Sequence, residues 1–212
     1  NRIKEISKKN YDALITVDCG TTNNYEINEL KVLSPNMQIM IIDHHKCNQE
    51  LPNADVIINT QLTHVEHPAR HLCTAALIDY IFRTTPIKNI TIDDYIDLVA
   101  IGLIADVMPL INLNRWYVSK GLTSIQTNPR PIIQELCISS KVNHATITTR
   151  DIGFGIGPRL NAAGRLGDPT PVVNALLEHD ASKAGECAQT LDKLNNNLLC
   201  DKHYATKFYI LI

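Results

Sequence analysis

Residues 40–45 join an apolar run to three side chains that can bind metal ions or carry protons. Asp43, His44 and His45 directly follow three apolar residues, a pattern typical of the end of a buried strand in a parallel sheet. Ligands of such sheets bind beyond the carboxyl ends of the strands. Because neighbouring side chains of an extended segment point to opposite faces, Asp43 and His45 should diverge from His44. One histidine is therefore expected to join ligands from other strand ends.

Two more apolar runs end in an aspartate. Asp18 follows residues 13–17, and Asp106 follows residues 100–105. A lone aspartate in such a place often caps a helix or forms a turn. Three acidic or imidazole groups at the ends of buried elements can instead converge on one face, where together they suit Mn, Fe or Zn better than Ca. The pattern therefore predicts a metal site.

The intervening residues predict the elements that hold these side chains. Three strands joined by helical crossovers are expected to form a parallel sheet, over residues 13–17, 37–42 and 54–59. Further helices should lead to Asp106, begin at Pro131, and follow a cap at Asp180 or Ser182. The fold class predicted is α/β.

A glycine-rich segment surrounds Arg159, Asn161 and Arg165. It follows no strand of a βαβ unit and lacks the lysine of a P-loop, so neither nucleotide-binding motif fits. Glycines beside guanidinium groups suit a backbone that lies close to phosphates. We interpret the three polar residues as contacts to phosphate groups; the alternative is a connector with surface arginines.

Composition limits the class of protein. The chain has 212 residues, 44% hydrophobic and 20% charged, with a formal net charge of −2. This charge counts against a passive nucleic-acid-binding module. Six cysteines without a C-x-x-C pair argue against a zinc ribbon or a disulfide framework and favour a reducing, cytoplasmic location. No apolar run approaches the roughly 18 residues of a membrane span, so no membrane association is predicted.

These motifs resemble those of the DHH phosphoesterase superfamily. Residues 17–20 (VDCG) resemble its second motif, 43–45 (DHH) its third and 105–107 (ADV) its fourth. Residues 157–166 (GPRLNAAGRL) resemble the signature of the RecJ branch, whose members are exonucleases specific for single-stranded DNA. The resemblance runs through most of the chain in order and spacing. It implies a parallel sheet with helices on both faces, followed by a long connecting helix.

The resemblance also implies which residues act. Two divalent ions, Mn²⁺ foremost and Mg²⁺ as the alternative, would assist hydrolysis of a phosphodiester. Asp18 would bridge both ions, and His44 and Asp106 would complete the shell of the second ion. Asp43 would orient a histidine, and His45 would reach the substrate phosphate. The backbone of the DNA strand would be held by Arg159, Asn161 and Arg165. Asp18, His44, His45 and Asp106 are thus the predicted catalytic residues.

One family feature is absent. The first motif, an Asp-x-Asp-x-Asp-Gly cluster on the first strand, does not occur, and the chain opens on Asn1 rather than Met. The DHH-associated and nucleic-acid-binding domains that follow in RecJ are also missing. We expect an internal fragment, with a DHH domain over 1–167 and a helical connector over 168–212 to an absent C-terminal domain. Such a fragment should be inactive by itself.

The function predicted is metal-dependent 5′ to 3′ exonuclease action on single-stranded DNA in repair and recombination. Single-stranded DNA is the expected partner, with a single-strand-binding protein or helicase as further candidates. One alternative within the superfamily acts on short oligonucleotides, cyclic dinucleotides or pyrophosphate. Another is a non-catalytic nucleic-acid-binding DHH scaffold. A flavodoxin-like domain with incidental acids would leave the aligned strand-end residues unexplained.

Overall fold

The computed structural model describes residues 2–164 and 169–200, the last three by their backbone alone. These residues fall into two compact units. The first holds the described residues up to Ile92 together with Met108–Asn114, and the second holds Asp93–Val107 and the described residues from Arg115 onward.

The first unit is built on a parallel sheet. Its strands β1 (Ala13–Val17), β2 (Gln38–Asp43) and β3 (Val56–Asn59) lie in the order β1-β2-β3 among the described residues. Helix α2 (Asn24–Leu33) connects the first two strands, and α1 (Arg2–Lys8) and α3 (Thr74–Thr84) lie outside them in sequence. The predicted α/β class and parallel sheet are confirmed, and β1 has the predicted bounds.

A hydrophobic core cluster of the first unit packs on one face of this sheet. Ile39 and Ile41 of β2 are fully buried against Ile27 and Leu30 of α2. Because apolar side chains alternate along β2, this pattern leaves Asp43 on the same buried face, 1% exposed. Helix α3 also packs against β2. The core therefore fixes the strand ends that carry the candidate site.

The second unit is helical in its described residues. Its helices are α4 (Ile96–Ala105), α5 (Asn112–Thr127, whose first residues belong to the first unit), α6 (Pro131–Ser139), α7 (Thr149–Asp151), α8 (Gly157–Gly164), α9 (Thr170–Leu177) and α10 (Ala181–Cys200). Pro131 begins α6 as predicted, and Asp180 caps α10 by accepting from the backbone N–H of Ser182 at 2.8 Å.

Helix α10 packs within the second unit. Ala184, Ala188 and Leu191 are buried in the same core as α6 and α8, so the described part of the predicted connecting helix contributes to a core. The domain boundary predicted between residues 167 and 168 lies outside the described residues and stays a prediction. No helix within residues 2–164 and 169–200 has the length and hydropathy that a membrane span needs.

Candidate metal centre

Asp18 lies directly after β1, at the carboxyl edge of the sheet. Its backbone N–H donates to the carbonyl of Ile42 at 2.9 Å, which continues the parallel pairing by one residue. Its φ of +63° is left-handed, a conformation that aspartate adopts more readily than most residues. The strand thus ends sharply at Asp18, and its carboxylate, 50% exposed, reaches solvent beside β2.

Asp43 is buried and accepts hydrogen bonds from several residues of the site. Its Oδ1 accepts from the backbone N–H groups of His44 (2.8 Å) and His45 (3.2 Å) and contacts Nδ1 of His45 at 2.7 Å. Its Oδ2 accepts from the backbone N–H of Thr21 at 3.2 Å. Burial alone would raise the pKa of Asp43, but the hydrogen bonds from His45 and Thr21 lower it to about 2. The carboxylate is therefore ionised and lies on Nδ1 of His45. That Asp43 orients a histidine of a metal site stays a prediction.

His44 lies against Asp18. The two side chains meet at 3.4 Å between Nε2 and Oδ1, and the His44 side chain is only 12% exposed. Burial and the neighbouring His45 hold the pKa of His44 below its usual value, against the opposing effect of the Asp18 and Asp43 carboxylates. A neutral imidazole of this kind is the form that binds metal ions.

His45 turns towards the same side. Its ring centroid lies 4.5 Å from that of His44, and Asp43 holds its Nδ1. A proton kept on Nδ1 by a carboxylate places the lone pair of the imidazole on Nε2, the arrangement found in most metal-binding histidines. The expected divergence of His44 and His45 is wrong. Strand β2 ends at Asp43, and the backbone then folds so that both following N–H groups face the Asp43 carboxylate.

Three side chains can thus share one cation. Asp18, His44 and His45 each offer a ligand atom, and these atoms lie within 4.8 Å of one another. One carboxylate and two imidazoles suit Mn²⁺, Fe²⁺ or Zn²⁺. The residues of the first unit therefore fit the predicted divalent ion.

Asp106 belongs to the second unit. It caps the carboxyl end of α4, where its backbone N–H donates to the carbonyl of Gly102 at 2.9 Å, and Val107 follows with a left-handed φ of +50°. Its place at a helix end is as expected. Its role as a metal ligand stays a prediction.

The glycine-rich segment is helical in its described part, up to Gly164, rather than an open loop. Helix α7 continues through a π-helical turn, Ile152–Ile156, into α8. Arg159 lies on α8, and its guanidinium contacts the Asp192 carboxylate at 2.7 and 2.8 Å and donates to the carbonyl of Gly155 at 2.8 Å. With the side chain 13% exposed, a phosphate would have to compete with these internal partners.

The other two predicted phosphate contacts are Asn161 and Arg165. Asn161 is exposed on α8, which leaves it accessible to a DNA backbone. Arg165 lies outside the described residues. The contact of Arg159, Asn161 and Arg165 with DNA stays a prediction.

Two residues that support the site were not predicted from the sequence. Thr21 is fully buried, and its backbone N–H holds Asp43. Asn59, the last residue of β3, donates from Nδ2 to the Thr21 hydroxyl and to the carbonyl of His45, at 3.0 Å each. Asn59 ends a strand as Asp43 does, so its position was a usable signal. Its neutral amide gave no indication of metal chemistry.

Comparison with known proteins shows which family the chain resembles. The sequence model described as "DHH family, N-terminal domain" matches residues 1–103. Residues 1–103, just under half of the chain, thus resemble the N-terminal domain of the DHH family.

Curated relatives match over most of this chain. The single-stranded-DNA-specific exonuclease RecJ of Haemophilus influenzae is 36% identical over 202 residues, which cover 89% of this chain and 34% of the relative. RecJ of Dickeya dadantii is 31% identical over 209 residues, which cover 92% of this chain and 36% of the relative. The crystal structure of RecJ from Thermus thermophilus in complex with Mn²⁺ matches with a TM-score of 0.75 at 29% identity, covering 93% of this chain and 29% of that one.

These similarities confirm the predicted resemblance to the RecJ branch. The chain spans about a third of the length of the curated relatives it matches.

Proposed function

We propose that this chain carries part of the metal centre of a hydrolase that degrades single-stranded DNA from its 5′ end in repair and recombination. The observation that supports the proposal is the convergence of Asp18, His44 and His45 at the strand ends, with the buried Asp43 on Nδ1 of His45. The substrate follows the relatives, which are named as single-stranded-DNA-specific exonucleases. Mn²⁺ is the proposed ion because the Thermus relative was solved with Mn²⁺, and Mg²⁺ is the alternative.

Bound divalent ions would supply Lewis-acid chemistry, neutralising phosphate charge and activating water. Asp18 would hold the ions through its carboxylate, and neutral His44 beside it would offer a ring nitrogen. Asp43 keeps a proton on Nδ1 of His45. The Nε2 atom of His45 can then bind an ion through its lone pair or, when the ring takes a second proton, donate to a phosphate oxygen. Asp106 is proposed as a further ligand.

The remaining parts of the proposal follow the RecJ relatives. Arg159, Asn161 and Arg165 are proposed contacts for the DNA backbone. A single-strand-binding protein or a helicase is the proposed partner that presents the strand, and the cytoplasm is the proposed location. The chain alone is proposed to be inactive, because it has no first motif to supply the ligands of the other ion.

The deciding experiment is an assay of the full-length product of the gene with Mn²⁺ on single-stranded DNA labelled at either end, beside a dinucleotide. We expect progressive loss from the 5′ end, reduced at least a thousandfold by His44→Ala and unaffected by His144→Ala in the second unit. Cleavage of the dinucleotide alone would transfer the protein to the short-substrate branch of the superfamily. DNA binding without cleavage would make it a scaffold, and turnover by the 212-residue chain would contradict its predicted inactivity.

A further inference from the structure

A buried asparagine joins all three strand ends of the sheet. Asn59 at the end of β3 is 4% exposed, and its Nδ2 donates to the hydroxyl of Thr21 and to the carbonyl of His45. Its Oδ1 accepts from the backbone N–H of Gln61 at 2.7 Å. The side-chain amide of Asn59 therefore donates two hydrogen bonds through its nitrogen and accepts one through its oxygen. No shorter or apolar side chain could make all three bonds.

These bonds close into a ring. From Asn59 the ring runs to the Thr21 hydroxyl, and the Thr21 backbone N–H continues it to Oδ2 of Asp43. Oδ1 of Asp43 leads to Nδ1 and the backbone N–H of His45. The His45 carbonyl returns to Asn59 at 3.0 Å. The ring thus ties the loop after β1 and the end of β2 to the end of β3.

Three of the four residues of the ring are shielded from water, whereas the side chain of His45 is 46% exposed. Thr21 is 0%, Asp43 1% and Asn59 4% exposed. Because a buried polar group that loses its partner keeps the full cost of its desolvation, opening one bond penalises the others. The parts of the ring should therefore hold one geometry even before an ion binds.

We propose that Thr21 and Asn59 are positioning residues for the metal centre. They fix the Asp43 carboxylate on Nδ1 of His45 and hold the Asp18 loop at a constant distance from the two histidines. Neither residue touches the ion or the substrate in this role. The inference rests on the proposed function in one respect, because the ring needs an ion for its effect on affinity to be measured.

Substitutions at Thr21 and Asn59, each with a matched control, test the ring. Thr21→Val removes the hydroxyl acceptor and keeps the backbone N–H that donates to Asp43, whereas Thr21→Ser keeps both. Asn59→Ala removes the whole link. Its matched control is Asn143→Ala in the second unit, because Asn143 also caps a 3₁₀ turn by accepting from the backbone N–H two residues on, at 3.0 Å.

The first measurement is Mn²⁺ affinity by isothermal titration of the 212-residue chain. Loss of the partners that orient a metal ligand typically weakens metal binding 10- to 100-fold, and we expect a loss of that size for Thr21→Val and Asn59→Ala. Thr21→Ser and Asn143→Ala should stay within about twofold of wild type, even though Asn143→Ala loses a cap of the same kind. The double variant Thr21→Val/Asn59→Ala should lose less than the sum of the two single losses, because both changes remove the bond between Asn59 and the Thr21 hydroxyl.

The second measurement is the tautomer of His45, read from the ¹⁵N shifts of its ring in the metal-free protein. We expect the Nδ1–H form in wild type and Thr21→Ser, and a mixture of tautomers in Thr21→Val. Folded variants that keep wild-type affinity and the wild-type tautomer would overturn the proposal. Should Asn59→Ala fail to fold, the isosteric Thr21→Val decides.

The two readouts separate this inference from the proposed function. Failure of the wild-type chain to bind Mn²⁺ would count against the proposed metal centre. The tautomer of His45 in Thr21→Val would still decide whether the ring positions that histidine.

Discussion

At the scale of single residues, Asp43 and Asp18 differ in what each can do: one can orient a histidine, and the other can bind an ion. Its carboxylate accepts from Thr21, His44 and His45 and is 1% exposed, whereas the Asp18 carboxylate is half exposed. Two aspartates that look alike in the sequence, each at the end of an apolar run, therefore have different chemistry. The burial of Asp43 suits it to orient a histidine, and the exposure of Asp18 suits it to bind an ion.

Replacing Asp43 by Asn should affect stability and metal binding together. The change keeps the shape but turns one acceptor oxygen into a donor that faces N–H groups. We expect a loss of about 1–3 kcal/mol in the free energy of unfolding and a 10- to 100-fold loss in Mn²⁺ affinity. Urea unfolding and calorimetry measure the two effects. The exposed Asp12→Asn is the control, and wild-type affinity in Asp43→Asn would show that His45 does not depend on this carboxylate.

Gly20 determines the shape of the loop between Asp18 and Thr21. Its φ is +114°, and a Cβ there would lie 2.6 Å from Oγ1 of Thr16 and 3.2 Å from Cγ2 of Ile41. Gly20→Ala should therefore destabilise the chain by about 1–3 kcal/mol and weaken Mn²⁺ binding.

Gly185→Ala in α10 is the matched control for that change. The nearest atom to its added Cβ would be Oε2 of Glu135 at 3.6 Å, an ordinary contact. We expect a gain of up to about 1 kcal/mol in urea unfolding, because alanine favours a helix. Equal effects of the two substitutions would mean that the left-handed backbone at Gly20 carries no strain penalty.

At the scale of elements, the sequence predicted the sheet better than the segments that follow it. The bounds of β1 and the start of α6 at Pro131 depend on local patterns, so they were predictable. The helical form of residues 152–156 was not predictable, because glycine suggests a loop, and here contacts with α4 and α6 favour a π-helical turn. The approach of His45 to His44 was also missed, since it depends on where β2 ends.

Arg130 is the residue that connects elements in the second unit. Its Nε donates to Oδ2 of Asp97 on α4 at 2.7 Å, and its guanidinium also reaches the carbonyls of Asp94 and of Leu176 on α9. It lies 5.3 Å from the ring centroid of Tyr95. Asp97 is 5% exposed at its side chain, so this pair is buried.

Removal of Arg130 should therefore be costly. Arg130→Ala leaves a buried carboxylate without its cation, and breaking such a pair typically costs about 3–5 kcal/mol. Urea unfolding should show that loss. Lys183→Ala, which breaks an exposed pair with Glu178, should change the free energy by less than about 1 kcal/mol. A small effect of Arg130→Ala would mean that Asp97 is stabilised by other groups.

At the scale of the whole molecule, net charge limits how the chain can hold DNA. With 20 basic and 22 acidic residues, it lacks the excess of cations that gives non-specific binding to nucleic acid. If the proposed function holds, bound ions must supply part of the attraction for the phosphates. DNA binding by this chain should therefore depend on the ion.

We predict that Mn²⁺ at about 1 mM raises the affinity of the chain for a fluorescent oligothymidine at least tenfold over the affinity in EDTA, measured by anisotropy at constant ionic strength. Asp18→Asn should abolish the gain, because it removes the carboxylate of the ion site. Ca²⁺ should give a smaller gain, since imidazole ligands suit Mn²⁺ better. Equal affinity in EDTA and Mn²⁺ would instead mean that side chains alone hold the strand. Arg159→Ala would then show, through a changed salt slope, whether the helix with Arg159 and Asn161 is the site.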